Sequence, residues 1–151
     1  MMKMSRIIAF DVGTHTIGVA QSDLLQTLAQ PVKTFRGLEQ EWGKMCTEIF
    51  SVIPYNTVST VVIGMPKNMD NSMGESAARS QRFKKSLEKH LRKQNITTIE
   101  IVFFDERLTT KQADQILIGQ NLRREKRKKV IDTVAAVLIL EDYLRFIQLN
   151  K

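Results

Sequence analysis

Ile7-Ile8-Ala9-Phe10, followed at once by Asp11-Val12-Gly13-Thr14, is the stretch on which the fold turns. A short, unbroken apolar run of branched and aromatic residues suits a strand covered on both faces, where no solvent side demands alternation. Val61-Val62-Ile63 and Ile101-Val102-Phe103-Phe104 have the same character, so the three runs predict a central parallel set. Ile17-Gly18-Val19-Ala20 follows the first run closely enough to be its hairpin partner, and a fifth extended piece spans about Gln30 to Phe35. Between and after the strands, apolar residues recur at helical spacing. Leu38, Trp42, Met45, Ile49 and Ile53 mark one helix, with Cys46 beside the stripe as a small buried thiol. Phe83, Leu87 and Leu91 mark a second, and Ala113, Ile116 and Leu117 a third that Thr109 or Thr110 could cap. A fourth runs from about Lys129 to Phe146. The order βββαβαβαα, without repeat or Pro/Gly-rich linker, predicts a single α/β domain over residues 1–151 with a mixed sheet.

Composition sets the class. A chain of 151 residues with 42% hydrophobic and 26% charged positions is neither a disordered tail nor a collagen-like repeat, and one cysteine cannot make a disulfide scaffold. The longest apolar run, Val134 to Leu140, is far short of the roughly 20 residues that span a bilayer, so a cytoplasmic protein without a membrane partner is expected. The formal charge of +7 is unevenly spread. Residues 75–93 hold seven Lys/Arg and two Glu, residues 123–129 hold six and one, and the remainder is mildly acidic. The first segment reads as the solvated face of an amphipathic helix. The second has no apolar stripe, and Arg123, Arg124, Lys126, Arg127, Lys128 and Lys129 are expected to form a phosphate-binding loop.

Several carboxylates stand where the fold does not require them. Asp11 follows the first apolar run, and Asp105-Glu106 end the Ile101–Phe104 run in the same way. Each could be a plain turn acid. If those strands are parallel, however, both exits lie at one edge of the sheet, where α/β domains bind ligands. Asp132 is followed up to Leu140 by only one other polar residue, Thr133. An acid on such a surface needs a cation, a hydrogen-bond donor or a metal, unless it is a first-turn acid offsetting the helix dipole or paired with Lys128 or Lys129. Clustered carboxylates without a histidine- or cysteine-rich group offer hard oxygen ligands, which suit Mg²⁺ or Mn²⁺. A phosphodiester is the natural substrate for two such ions about 4 Å apart.

Five segments, taken in order, resemble the YqgF/RuvX family: Phe10-Asp11-Val12-Gly13-Thr14, Ile17-Gly18-Val19-Ala20, Gly64-Met65-Pro66-Lys67-Asn68-Met69-Asp70, Asp105-Glu106-Arg107-Leu108-Thr109-Thr110, and Lys129-Val130-Ile131-Asp132-Thr133-Val134-Ala135-Ala136. The resemblance runs from about Arg6 to Tyr143. It implies an RNase H-like α/β fold akin to the RuvC resolvase, a five-stranded mixed sheet with helices on both faces. It also implies a divalent-metal nuclease that processes the 5′ end of the 16S ribosomal RNA precursor in ribosome biogenesis, with structured RNA and pre-ribosomal particles as partners. A junction resolvase acting on branched DNA is the alternative within the same chemistry, and a non-catalytic RNA-binding assembly factor the alternative outside it. An actin-like or sugar-kinase ATPase fragment would explain Asp-x-Gly-Thr, but those proteins need two such domains.

Carried over by position, Asp11 is the strand ligand, Asp105 or Glu106 the second and Asp132 the helical one, with Mg²⁺ or Mn²⁺ as cofactor. Adjacent strand residues face opposite ways, so one of Asp105 and Glu106 enters the site. Lys67, Asn68 and Arg107 join the basic run as expected nucleic-acid contacts, and His15 stands where relatives often carry Lys or Arg. Two departures from the resolvase pattern weigh against junction resolution. Ile63-Gly64-Met65-Pro66 holds no acid, and Ala135 occupies the place of a second helical acid.

Overall fold

A computed structural model describes residues 4–65, 74–105 and 124–149, with residues 124–132 described by their backbone alone. The strands are β1 (Arg6–Val12), β2 (Thr16–Ser22), β3 (Ala29–Arg36), β4 (Val58–Met65) and β5 (Glu100–Asp105). The helices are α1 (Trp42–Val52), α2 (Glu75–Lys93) and α3 (Arg124–Leu149). The strands form one sheet in the order β3-β2-β1-β4-β5. β2 runs antiparallel to β1 and β3, whereas β1, β4 and β5 are parallel, as their unbroken apolar runs require. The helix expected over Ala113, Ile116 and Leu117, with Thr109 or Thr110 as its cap, lies outside the described residues.

Local chemistry closes the connections. In the β1–β2 turn the Gly13 N–H donates to the Thr16 carbonyl at 2.8 Å. A Cβ at Gly13 would sit 3.1 Å from Thr16 Oγ1 and 3.2 Å from its carbonyl oxygen, so the turn is drawn tighter than a side chain readily allows. The β2–β3 turn is organised by Asp23, whose carboxylate accepts from the backbone N–H groups of Thr27 and Leu28 at 2.7 and 2.9 Å and from the Thr27 hydroxyl at 2.7 Å. These donors hold the Asp23 carboxyl down to about 2. Farther along, Ala20 pairs with Pro31 and Val19 with Lys33, which leaves Val32 as a bulge on an edge strand that can accommodate proline.

The sheet is covered on both sides. Ile8, Phe10, Ile17, Phe35, Val61 and Ile63 pack against α1 and α2, where Phe83 meets Phe10 and Trp42 edge-on at centroid distances of 5.5 and 5.3 Å. Cys46 is buried in this layer, and desolvation pushes its thiol up to about 12, which fits the small buried thiol expected from the sequence. On the other face Ile7, Ala9, Ala20 and Val62 meet Ala136, Ile139, Leu140 and Leu144 of α3. Ala9 lies opposite Ala20 in register, so this contact is made largely by small side chains that let helix and sheet approach closely. Among the described residues no helix is long and apolar enough to cross a membrane.

The structure corrects two expectations. Asp11 does not follow the first strand but is its penultimate residue, because pairing with β2 carries β1 on to Val12. The basic run is not a loop: residues 124–129 form the first turns of α3, which begins about five residues earlier than the apolar pattern suggests. Lys, Arg and Glu are good helix formers, and a helix needs no apolar stripe where it extends beyond the core it covers.

Candidate functional site

The site is built from the alternation of β1. Ile8, Phe10 and Val12 face α1 and α2, so Ile7, Ala9 and Asp11 share the opposite face, beneath α3. Asp11 is 8% exposed, in the central strand of the sheet and near its carboxyl end. It lies opposite Gly18 of β2, and Gly18 lies opposite Thr34 of β3. Residues in cross-strand register share a face, so Asp11, Gly18 and Thr34 form one lateral row. Gly18 contributes no side chain to it, which leaves room for the helix to approach.

Thr34 fixes α3 over this row. Its Oγ1 shares a hydrogen bond with Oγ1 of Thr133, a contact between residues 99 positions apart. Residue 132 therefore lies, by its backbone, one position from the point where α3 is tied to the row that holds Asp11. It also lies beyond the second turn of α3, which begins at Arg124. The helix dipole acts mainly within the first turn, so a dipole role for Asp132 loses its basis.

Asp105 is different. Val102 and Phe104 face α3, with the Phe104 ring meeting Tyr143 edge-on at 5.8 Å, whereas Ile101 and Phe103 face α2, with Lys84 Nζ 5.1 Å above the Phe103 ring. Asp105, the exposed last residue of β5, has the parity of Ile101 and Phe103. It thus shares an end of the sheet with Asp11, because β1, β4 and β5 are parallel, but belongs to the other face. Glu106 lies outside the described residues.

Among the other candidates, Lys67, Asn68, Arg107 and Arg123 also lie outside the described residues. Arg124, Lys126, Arg127, Lys128 and Lys129 follow one another along the start of α3, on the amino-terminal side of Asp132. His15 is exposed in the β1–β2 turn, at the same end of the sheet as Asp11. Its Nδ1 shares a 2.9 Å hydrogen bond with the Thr14 hydroxyl, and its carbonyl accepts from the Gly37 N–H at 3.0 Å. The Thr34–Thr133 contact was not anticipated from sequence; the one hint is that Thr133 interrupts an apolar helix.

Among the described residues no three His, Cys, Asp or Glu side chains form a group that could hold a metal. Two of the four expected ligands, Glu106 and Asp132, are not among the described side chains. Asp11 fits the requirement of a hard divalent cation: it is a buried carboxylate, at the end of a rigid strand, on the face covered by a helix that carries a second carboxylate.

Solved structures share this architecture. Thermus thermophilus RuvC in complex with Holliday junction substrate superposes with a TM-score of 0.60 at 11% identity, covering 97% of each chain. The fowlpox virus resolvase with Holliday junction DNA gives 0.58 at 11% identity, covering 94% of this chain and 98% of that one. The fold is therefore the RNase H-like α/β fold of these resolvases. Sequence takes the assignment further, since residues 5–146 match the RuvX family, described as Holliday junction resolvase. A Staphylococcus epidermidis protein is 42% identical over 147 residues, covering 97% of this chain and 100% of its own length. One from Halalkalibacterium halodurans is 44% identical over 139 residues, covering 92% and 95%. Both bear the name "Putative pre-16S rRNA nuclease". The chain belongs to the RuvX family.

Proposed function

We propose that this protein is a divalent-metal-dependent endonuclease that hydrolyses phosphodiester bonds in structured RNA, and that it processes the 5′ end of the 16S ribosomal RNA precursor on pre-ribosomal particles in the cytoplasm. The observation that carries the reading is the buried Asp11 in a lateral row tied, through Thr34 and Thr133, to the part of α3 that contains Asp132. The names of relatives at 42% and 44% identity support RNA as the substrate.

Asp11, Asp132 and one of Asp105 and Glu106 would hold Mg²⁺ or Mn²⁺. Strand parity favours Glu106 over Asp105, because Val102 and Phe104 face α3 and Glu106 is the next residue of that parity in sequence. Bound metal would polarise the scissile phosphate and an attacking water. The chain's own groups supply position. Asp11 is held in the middle of the sheet, and α3, whose sequence carries Arg124 and Lys126 to Lys129 ahead of Asp132, would supply the second acid and positive charge for the substrate backbone. Lys67, Asn68 and Arg107 would add contacts to the substrate backbone. Ala135 stands where the resolvase pattern places a second helical acid, so that ligand is missing from this chain. That favours RNA processing over the resolvase reading, whose pattern includes that acid.

The test is cleavage of a precursor ribosomal RNA fragment and of a four-way DNA junction with Mg²⁺ or Mn²⁺. RNA cleavage is expected to disappear in Asp11→Asn, Asp132→Asn and Glu106→Gln and to survive in Asp105→Asn. Full activity in both Asp11→Asn and Asp132→Asn would overturn the site, and cleavage of the junction alone would move the function to DNA.

A further inference from the structure

On the face of the sheet away from Asp11, α1 and α2 enclose an open groove of about 480 Å³. Lys44 and Thr47 of α1 line one wall, and Ser86, Lys89 and Lys93 of α2 the other, with His90 at the bottom. We propose that this groove is a second binding site for the phosphate backbone of RNA, separate from the carboxylate site and contacted by a substrate long enough to pass around the sheet. The proposal rests on the nuclease reading only for the identity of the polyanion.

The groove is lined by these three lysines and by one carboxylate, that of Glu39. Among the described residues, none of Lys44, Lys89 and Lys93 has a carboxylate within ion-pair distance. Glu39 and Glu48 are already engaged by other cations. Glu39 takes both nitrogens of a forked contact from Arg82 at 2.8 and 3.0 Å, and Glu48 lies 3.8 Å from Lys33. With Glu39 taken up by Arg82, the three lysines leave the groove with a positive charge that a polyanion would offset. Lys89 and Lys93 are one helical turn apart, about 6 Å along the axis, a spacing that lets each meet its own phosphate on a single strand. The Thr47 and Ser86 hydroxyls stand beside them as neutral donors.

Gly43, the second residue of α1, keeps one wall low, since a Cβ there would point into open space with nothing within 4 Å. It lines the groove, where the missing side chain leaves the wall open to a ligand. The bottom is firm: His90 Nε2 shares a 2.6 Å hydrogen bond with the Tyr55 hydroxyl, and its ring stacks on Phe50 at 6.1 Å. Desolvation holds His90 below the usual imidazole range, so the charge facing a ligand comes from the lysines.

The two sites lie on opposite faces of the sheet, on the order of 20 Å apart. The experiment compares RNA binding and cleavage by the full chain, the triple variant Lys44→Ala/Lys89→Ala/Lys93→Ala, and Gly43→Glu. One substrate is a long precursor fragment and the other an oligonucleotide of about eight nucleotides around the cleavage position. For long RNA, the triple variant is expected to lose on the order of tenfold in affinity, with the slope of log affinity against log salt shallower by about 2. Gly43→Glu should weaken long-RNA binding without lowering thermal stability, and cleavage of the short RNA should be unchanged in both. Removing the same number of charges at Lys85, Arg92 and Arg145, outside this groove, should have a clearly smaller effect. Wild-type affinity and salt slope in the triple variant, or an equal loss in the control, would overturn the groove while leaving the nuclease reading intact. Groove-dependent binding without cleavage under any metal would support the groove and overturn the nuclease. Failure of the wild-type chain to bind long RNA would overturn the groove.

Discussion

The Thr34–Thr133 contact makes the sharpest prediction, because it is small in energy and large in position. Both hydroxyls are partly buried, and a neutral hydrogen bond of this kind contributes about 1 kcal/mol net. Thr34→Val or Thr133→Val alone strands the remaining hydroxyl against apolar surface, so each single variant should lose about 1 to 2 kcal/mol in urea unfolding. The double variant removes both polar groups and replaces them with methyls of similar shape. It should recover most of that loss, which puts the coupling in the cycle at about 2 to 3 kcal/mol. Cleavage should behave differently. A valine pair packs but has no direction, so it cannot hold α3 at one height over the Asp11 row. Misplacement of a catalytic group by about 1 Å can cost on the order of a hundredfold. Single-turnover cleavage under saturating RNA should therefore fall about 10- to 100-fold in the singles and stay low in the double, with RNA affinity unchanged. A double variant that regains both stability and rate, or singles that lose neither, would refute the positioning argument.

Phe83, fully buried and edge-on to Phe10 and Trp42, should cost about 3 to 5 kcal/mol as Phe83→Ala, measured by chemical denaturation. Asp23 supplies an acid-limb prediction. Its folded-state carboxyl lies at about 2 against an ordinary 3.8, so its contribution is present above 3.8 and is lost as pH falls towards 2. Thermal melts of the wild type and Asp23→Asn should accordingly differ at pH 5 and converge near pH 2. Cys46, buried and with its thiol pushed up to about 12, should resist alkylation in the native state at pH 8 and react at a rate that follows global unfolding in urea.

What the sequence conveyed depended on how local the cause was. The apolar runs of β1 and β4 announce their burial on both faces, since Ala9 and Val62 on one side and Phe10 and Ile63 on the other are all fully covered, whereas the same kind of run in β5 forms the edge of the sheet, where Ile101 to Phe104 are only half-buried. The hairpin partner and the helix stripes follow from the same short-range spacing. A carboxylate reads as a strand boundary, so the sequence places the end of β1 too early, whereas pairing with Gly18 carries Asp11 inside the sheet. The apolar pattern places the start of α3 too late, because helix propensity and not burial decides there. Strand alternation says that Asp105 and Glu106 face opposite ways, but not which side is which. That needs the knowledge that Phe104 lies against Tyr143, a fact of tertiary packing. Thr34 and Thr133 are 99 positions apart and have no local signature at all.

Pro31 and the bulged Val32 have a consequence outside the chemistry of the site. A sheet margin normally presents a ladder of open amides that another polypeptide can join, and that is how many β-rich chains aggregate. On β3 the ladder is broken midway, where proline has no hydrogen to donate and the extra residue bends the strand out of line. This margin of the molecule is thereby a poor template for strand addition.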